Sequence, residues 1–224
     1  MRVGLYVNWA IWAALVVLHL VAYASSIPTT APLRMLSGST AEALVFRPFP
    51  APLYFEIVFQ KQPGLERPEL IVSHTKRFQR FNDANVHIDV SIRGATTMFE
   101  MRPEIANHWE RIGSSAARDF IPATEEDATN TFDWSVTRDL IPILPAGITK
   151  VIFSTHNAGL FPPGEQATIN ILAPISFKEP HSEAYGHLGL FVFFQPIDLI
   201  LLLIYVAVLT RKTVKARKLV TQRT

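Results

Sequence analysis

Two long apolar runs, one near each end, constrain this chain more than any other feature. The first, residues 4–24, reads GLYVNWAIWAALVVLHLVAYA and carries no formal charge. The second, residues 188–209, reads LGLFVFFQPIDLILLLIYVAVL and carries a single acid, Asp198. About 20 apolar residues rising 1.5 Å each cross the hydrocarbon core of a bilayer. The runs therefore predict two transmembrane helices, over 4–24 and 188–210, and a two-pass protein of the cell (inner) membrane. A cleaved signal peptide competes for the first run, because Ala22-Tyr23-Ala24 followed by Ser25-Ser26 has the form of a cleavage site. The length of the run and its Trp9 and Trp12 favour an uncleaved anchor.

Charge orients the pair. Arg211, Lys212, Lys215, Arg217 and Lys218 follow the second run directly, with Arg223 further on and no acid among them. Arg2 precedes the first run, within residues 1–3. Basic residues next to a span stay in the cytoplasm, so both termini are expected inside and the middle outside, periplasmic or extracellular. The basic segment 211–224 can also meet anionic headgroups, although a topology anchor is the simpler role.

The formal net charge of +2 hides this partition. With the seven basic residues at the ends and Asp198 set aside, the middle keeps 14 basic against 18 acidic residues, interspersed. No nucleic-acid surface is indicated. The chain has no cysteine, which excludes disulfides, thiolate metal sites and thiol nucleophiles.

Between the runs the period changes to two. Leu53, Phe55, Ile57 and Phe59 alternate with Tyr54, Glu56, Val58 and Gln60, and Val86, Ile88, Val90 and Ile92 alternate up to Gly94. Further strands are expected over 69–75, 96–101, 132–136, 140–144, 148–155 and 168–175, with turns at Gln62-Pro63-Gly64 and Pro162-Pro163-Gly164. One short helix is expected from Pro103, on the spacing of Ile105, Trp109, Ile112, Ala116 and Phe120, weakened by Gly113 and Ser114-Ser115. Five prolines in 26–52 predict an irregular connection over 25–52. The expected fold is a membrane-anchored all-β domain over 53–178, an antiparallel β-sandwich of immunoglobulin-like or jelly-roll kind, joined by a juxtamembrane linker over 179–187 to the second helix.

Asp198 is the residue most open to a functional role. Counted along one continuous helix from Leu188 it lies about 15 Å deep, where an ionisable group costs roughly 3 kcal/mol. Gln195 and Pro196 stand beside it, and Pro196 can kink the helix. Three roles are open: a cap near the outer headgroups on a helix that Pro196 starts, contact with a partner helix, or a place on an ion or proton path. In the first run Asn8 and His19 are the polar residues, and His19 is the nearer to Asp198 in depth.

Other chemistry is thinly represented. His74, His87, His108, His156, His181 and His187 form no HxH, HxxxH or HExxH pattern, and the densest acid–histidine group is Glu179, His181, Glu183 and His187. Glu125-Glu126-Asp127 lacks EF-hand spacing and reads as a solvated loop. There is no GxSxG elbow, P-loop or dinucleotide fingerprint. No catalytic residue, cofactor or metal site is expected. The sequence points to an accessory or assembly subunit that meets the bilayer and other membrane subunits. A homo-oligomeric channel or transporter with Asp198 in its pathway, and an envelope glycan-, lipid- or peptide-binding module, are the alternatives.

Overall fold

The structure, a computed structural model, describes residues 2–60, 86–101, 115–123, 140–159, 163–175 and 183–221. The chain divides into two compact units: a helical one, Met1–Ile27 with Pro174–Thr224, and a β one, Pro28–Ala173.

The β unit is built from β1 (Thr29–Met35), β2 (Thr40–Arg47), β3 (Ala51–Pro52), β4 (Phe55–Gln60), β5 (Val86–Ile92), β6 (Ala95–Met101), β7 (Ser115–Pro122), β8 (Ile143–Leu144), β9 (Gly147–Ala158) and β10 (Glu165–Ile171). Eight of these hydrogen-bond in the order β1-β10-β4-β7-β6-β5-β9-β2, and β3 pairs with β8 apart from them. Every pairing among the described residues is antiparallel. One face of all eight strands feeds a single core, so the sheet turns back on itself into a sandwich-like body with halves β1-β10-β4-β7 and β2-β9-β5-β6. Phe55 of β4 is central to this core. Its ring lies 5.0 Å from Phe99, 5.4 Å from Phe120 and 5.0 Å from Phe153, which join strands of both halves.

The alternation expected at Leu53–Phe59 and Val86–Ile92 is present, with every inward residue of both series buried. The β5–β6 hairpin turns on Arg93 (φ 52°) and Gly94 (φ 87°), two left-handed residues that suit the twist of a tight hairpin. The strand expected over 148–155 is longer, and that expected over 168–175 lies earlier, at 165–171.

Three expectations for the β unit need correction. The connection 25–52 is not irregular: β1 and β2 occupy most of it, with Ala31, Leu33, Met35, Ala41, Ala43 and Val45 facing the core. Its prolines sit where a sheet tolerates them. Pro32 is on the outermost strand of one half, and Pro48 and Pro50 fall between strands. Second, residues 115–122 are a strand paired with β4 and not the end of a helix. A spacing of four, as from Ala116 to Phe120, returns to the same face in a strand as well as in a helix, so it could not separate the two. Third, within 140–144 only Ile143–Leu144 is strand. The turn at 62–64, the strands over 69–75 and 132–136, the first part of the helix from Pro103 and the acidic loop at 125–127 lie outside the described residues.

The helical unit contains α1 (Arg2–Ser26), α2 (Glu183–Phe193) and α3 (Gln195–Thr221). Val3–Ser26 of α1 is long and apolar enough to cross a membrane. The second apolar run is not one helix. It breaks at Phe194, and α2 and α3 meet at 76°. Pro196 supplies the reason: in a continuous helix its missing N–H would break the bond to the Val192 carbonyl and its ring would press on that group. The break is closed by other bonds, Phe194 N–H to the Leu190 carbonyl and the Ile197 and Asp198 N–H groups to the Phe194 carbonyl. The basic residues Arg211 to Lys218 continue α3 as its last turns, all exposed.

Candidate functional site

The polar residues of the helices meet one another. α1 and α3 run antiparallel, as their contacts at either end require. Near the start of α1, the Trp9 indole N–H donates to Thr213 Oγ1 at 3.1 Å, and the Tyr205 hydroxyl donates to Asn8 Oδ1 at 2.8 Å. The Asn8 amide in turn donates to the Gly4 carbonyl. Further along, the Trp12 indole N–H donates to the Leu202 carbonyl at 3.2 Å. Towards the end of α1, His19 Nε2 comes to 3.4 Å from Asp198 Oδ2. Asp198 thus sits in the first turn of α3, where its negative charge also suits the helix dipole. Its depth cannot be counted from Leu188 along one axis, because the axis changes at Phe194.

The histidine's chemistry follows from its other nitrogen. His19 Nδ1 lies 2.8 Å from the Leu15 carbonyl, which can only accept, so Nδ1 carries a proton. Nε2 is then a bare lone pair in the neutral ring. At 3.4 Å the contact with Asp198 falls outside hydrogen-bond geometry, and two lone pairs facing one another would repel. The approach is favourable only when the pair holds a proton, as imidazolium with carboxylate or as imidazole with carboxylic acid. The Phe191 ring stands edge-on to His19 at a centroid distance of 5.1 Å.

Beside this pair lies a half-open cavity of about 340 Å³. Val16, Leu20, Leu199 and Leu203 make much of its wall, Phe191 and Val192 close it from α2, and His19, Tyr23 and Gln195 are its polar members. The cavity therefore suits an apolar or amphipathic occupant far better than an ion.

Of the residues singled out from sequence, the structure brings His19 and Asp198 together and sets Gln195 on the same cavity. Pro196 is exposed at the break, and Asn8 belongs to the opposite end of the helix pair. Tyr205, Thr213, Trp9 and Trp12 were missed as hydrogen-bonding partners. Tryptophan and tyrosine in such a run read as interfacial anchors, and threonine as a neutral filler, so no sequence signal marked them. Glu179 and His181 lie outside the described residues, and among the described residues no three His, Asp or Glu side chains converge as metal ligands. On the β unit, His156 Nδ1 meets Asp89 Oδ2 at 3.1 Å on the surface.

No family model matches the chain, and neither the curated proteins nor the solved structures contain a match to it.

Proposed function

We propose that the chain is a non-catalytic accessory or assembly subunit of a larger membrane complex. In this reading α1 and the bent pair α2–α3, whose two helices are long and apolar enough only together, cross the bilayer with both ends cytoplasmic, and the β unit docks partners on the periplasmic or extracellular side. The observation that carries the reading is the pairing of polar groups between α1 and α3. Asn8, Trp9 and Trp12 find hydrogen-bond partners in Tyr205, Thr213 and Leu202 of the same chain, and His19 stands beside Asp198 without a hydrogen bond. Asn8, Trp9 and Trp12 thus need no second copy to cover their polar groups. The outward side chains of the helices, among them Val7, Val17, Leu201 and Ile204, are apolar and suit lipid or a neighbour's helices. The antiparallel course puts Arg2 at the same end as Arg211, Lys212, Lys215, Arg217 and Lys218, which supports retention of both ends on one side.

The strand order supports a jelly-roll sandwich for the β unit. Halves β1-β10-β4-β7 and β2-β9-β5-β6 are joined by a chain that changes half at every connection except the β5–β6 hairpin, the pairing of two interleaved Greek keys. An immunoglobulin-like sandwich would group its strands ABED and CFG instead.

A second reading, lipid binding, is favoured by the cavity beside His19. Gentle detergent extraction followed by native mass measurement tests both. Unrelated subunits retained in stoichiometric amounts are the expected result. A closed ring of identical chains overturns the accessory reading, and a monomer carrying a lipid-sized adduct replaces it with the second.

A further inference from the structure

We infer that one end of the β-sandwich is a lipid-contact surface that dips into the outer boundary of the bilayer. This rests on the proposal that α1 and the bent pair α2–α3 span the membrane, but its argument comes from the β unit. Register identifies the end. Thr29, the first residue of β1, is opposite Ile171, the last of β10. Arg47, the last residue of β2, is opposite Gly147, the first of β9, and its Nη2 donates to the Leu172 carbonyl at 2.9 Å. Leu172 N–H donates to the Tyr54 carbonyl, and Leu53 N–H to the Pro142 carbonyl, both at 2.9 Å. The start of β1, the end of β10, the end of β2, the start of β9 and the β3–β8 pair therefore share one end of the sandwich. Both chain connections to the helices leave from it, and only Ile27 and Pro28 separate α1 from β1.

The exposed apolar side chains gather at that same end. Among the described residues of the β unit, eight large apolar side chains are exposed: Leu36, Leu44, Phe46, Phe49, Met98, Leu140, Ile143 and Ile148. Phe46, Phe49, Leu140, Ile143 and Ile148 lie in or next to the segments just placed at the helix-bearing end, while Leu44, opposite Lys150, sits further along β2. Phe46 and Ile148 are direct cross-strand partners on the outer face, and Ile148 is 72% exposed. They alternate with buried Val45, Arg47 and Thr149, so they are not core residues left partly covered. Apolar groups on the open face of an outermost strand invite sheet-to-sheet association in water, and soluble sandwiches place charge there. Here charge appears further along the same two strands, as the Lys150–Glu42 ion pair at 2.7 Å. Water-compatible pairing gives way to aliphatic and aromatic side chains towards the end at which the chain meets its membrane helices. The occupant that matches is the headgroup–acyl boundary, which takes apolar side chains to a depth of roughly 5–10 Å.

The chain contains no cysteine, so single labels can be placed in the full-length protein. Phe46→Cys, Ile148→Cys, Leu36→Cys and Val17→Cys variants, each carrying a fluorophore, are reconstituted into phosphatidylcholine vesicles. Two quenchers are applied: aqueous iodide and a nitroxide on the upper acyl chain. The expected result is several-fold weaker iodide quenching at 46 and 148 than at 36, with nitroxide quenching at 46, 148 and 17. Iodide quenching at 46 and 148 equal to that at 36, with position 17 still reached by the nitroxide, overturns the inference and leaves the membrane reading standing. Failure of the nitroxide to reach position 17 overturns both. Labels at 46 and 148 hidden from iodide yet beyond the nitroxide are covered by protein, which also overturns the inference.

Discussion

His19 Nε2 approaches Asp198 Oδ2 to 3.4 Å while its Nδ1 is held by the Leu15 carbonyl. The two are each other's polar neighbour in an otherwise apolar site, and a proton held by the pair is what makes the approach favourable: His19 is nearly buried and Asp198 about three-quarters so. Removing one partner leaves the other polar group uncompensated, at a cost of about 1–3 kcal/mol. Removing both costs less than the two single changes together. His19→Leu, Asp198→Leu and the double variant, compared by reversible unfolding of the full chain in mixed micelles, are expected to show a coupling of about 1 kcal/mol or more. Simple additivity would mean that the contact contributes nothing. Asp198→Asn separates charge from shape: it keeps the side-chain volume and is expected to fall between wild type and Asp198→Leu.

The bend between α2 and α3 depends on Pro196. Pro196→Ala restores an N–H that can reach the Val192 carbonyl and removes the ring that opposes a straight helix. With spin labels at Leu190→Cys and Leu201→Cys, the variant is expected to give a longer and narrower distance distribution than the protein with Pro196, as the 76° angle opens towards a straight helix. An unchanged distribution would place the cause of the bend in packing against α1.

How much of this was legible follows from what each residue pattern can encode. β4 and β5 were readable because large residues alternate with polar ones over a full strand, and the β5–β6 turn because Gly94 ends that alternation. β1 and β2 were not, because their inward sets include Ala31, Ala41 and Ala43, which carry little hydropathy contrast, while the prolines nearby suggested disorder of the pattern. The strand β7 was hidden by a four-residue spacing common to both periods. At the site, Asp198 and His19 stood out as ionisable groups in apolar runs, which is a local property. That they meet depends on the break at Phe194 and on the phase of α1 against α3, which neither run specifies alone. Pro196 was the visible sign of the break, yet a proline within an apolar run is compatible with a mild kink as well as with a turn of 76°.

Arg47 closes the end of the sandwich. It is 2% exposed, donates from Nη1 to the Phe46 carbonyl and from Nη2 to the Leu172 carbonyl, and so ties the end of β2 to the segment after β10. Arg47→Met keeps most of the buried volume and loses the donors, stranding the Leu172 carbonyl. A loss on the order of 3 kcal/mol is expected from urea unfolding followed at the strand circular-dichroism band. Arg47→Lys restores the charge without the forked geometry and is expected to recover only part of the loss. Full recovery by lysine would show that charge alone matters there.

Arg93 and Gly94 both hold positive φ in the β5–β6 turn, and a Cβ built on Gly94 meets nothing within 4 Å. Any cost of Gly94→Ala is therefore a backbone cost, on the order of 1 kcal/mol, since alanine enters the left-handed region with difficulty. Arg93 already bears such a cost. Asparagine adopts the same conformation more readily and is the preferred first residue of this turn ahead of glycine, so Arg93→Asn is expected to stabilise the protein by about 0.5 kcal/mol. The two substitutions move stability in opposite directions at adjacent, exposed positions with no change in packing. Denaturant midpoints of the two variants measured side by side decide the matter. A destabilising Arg93→Asn would mean that the arginine side chain makes a contact that outweighs its backbone strain.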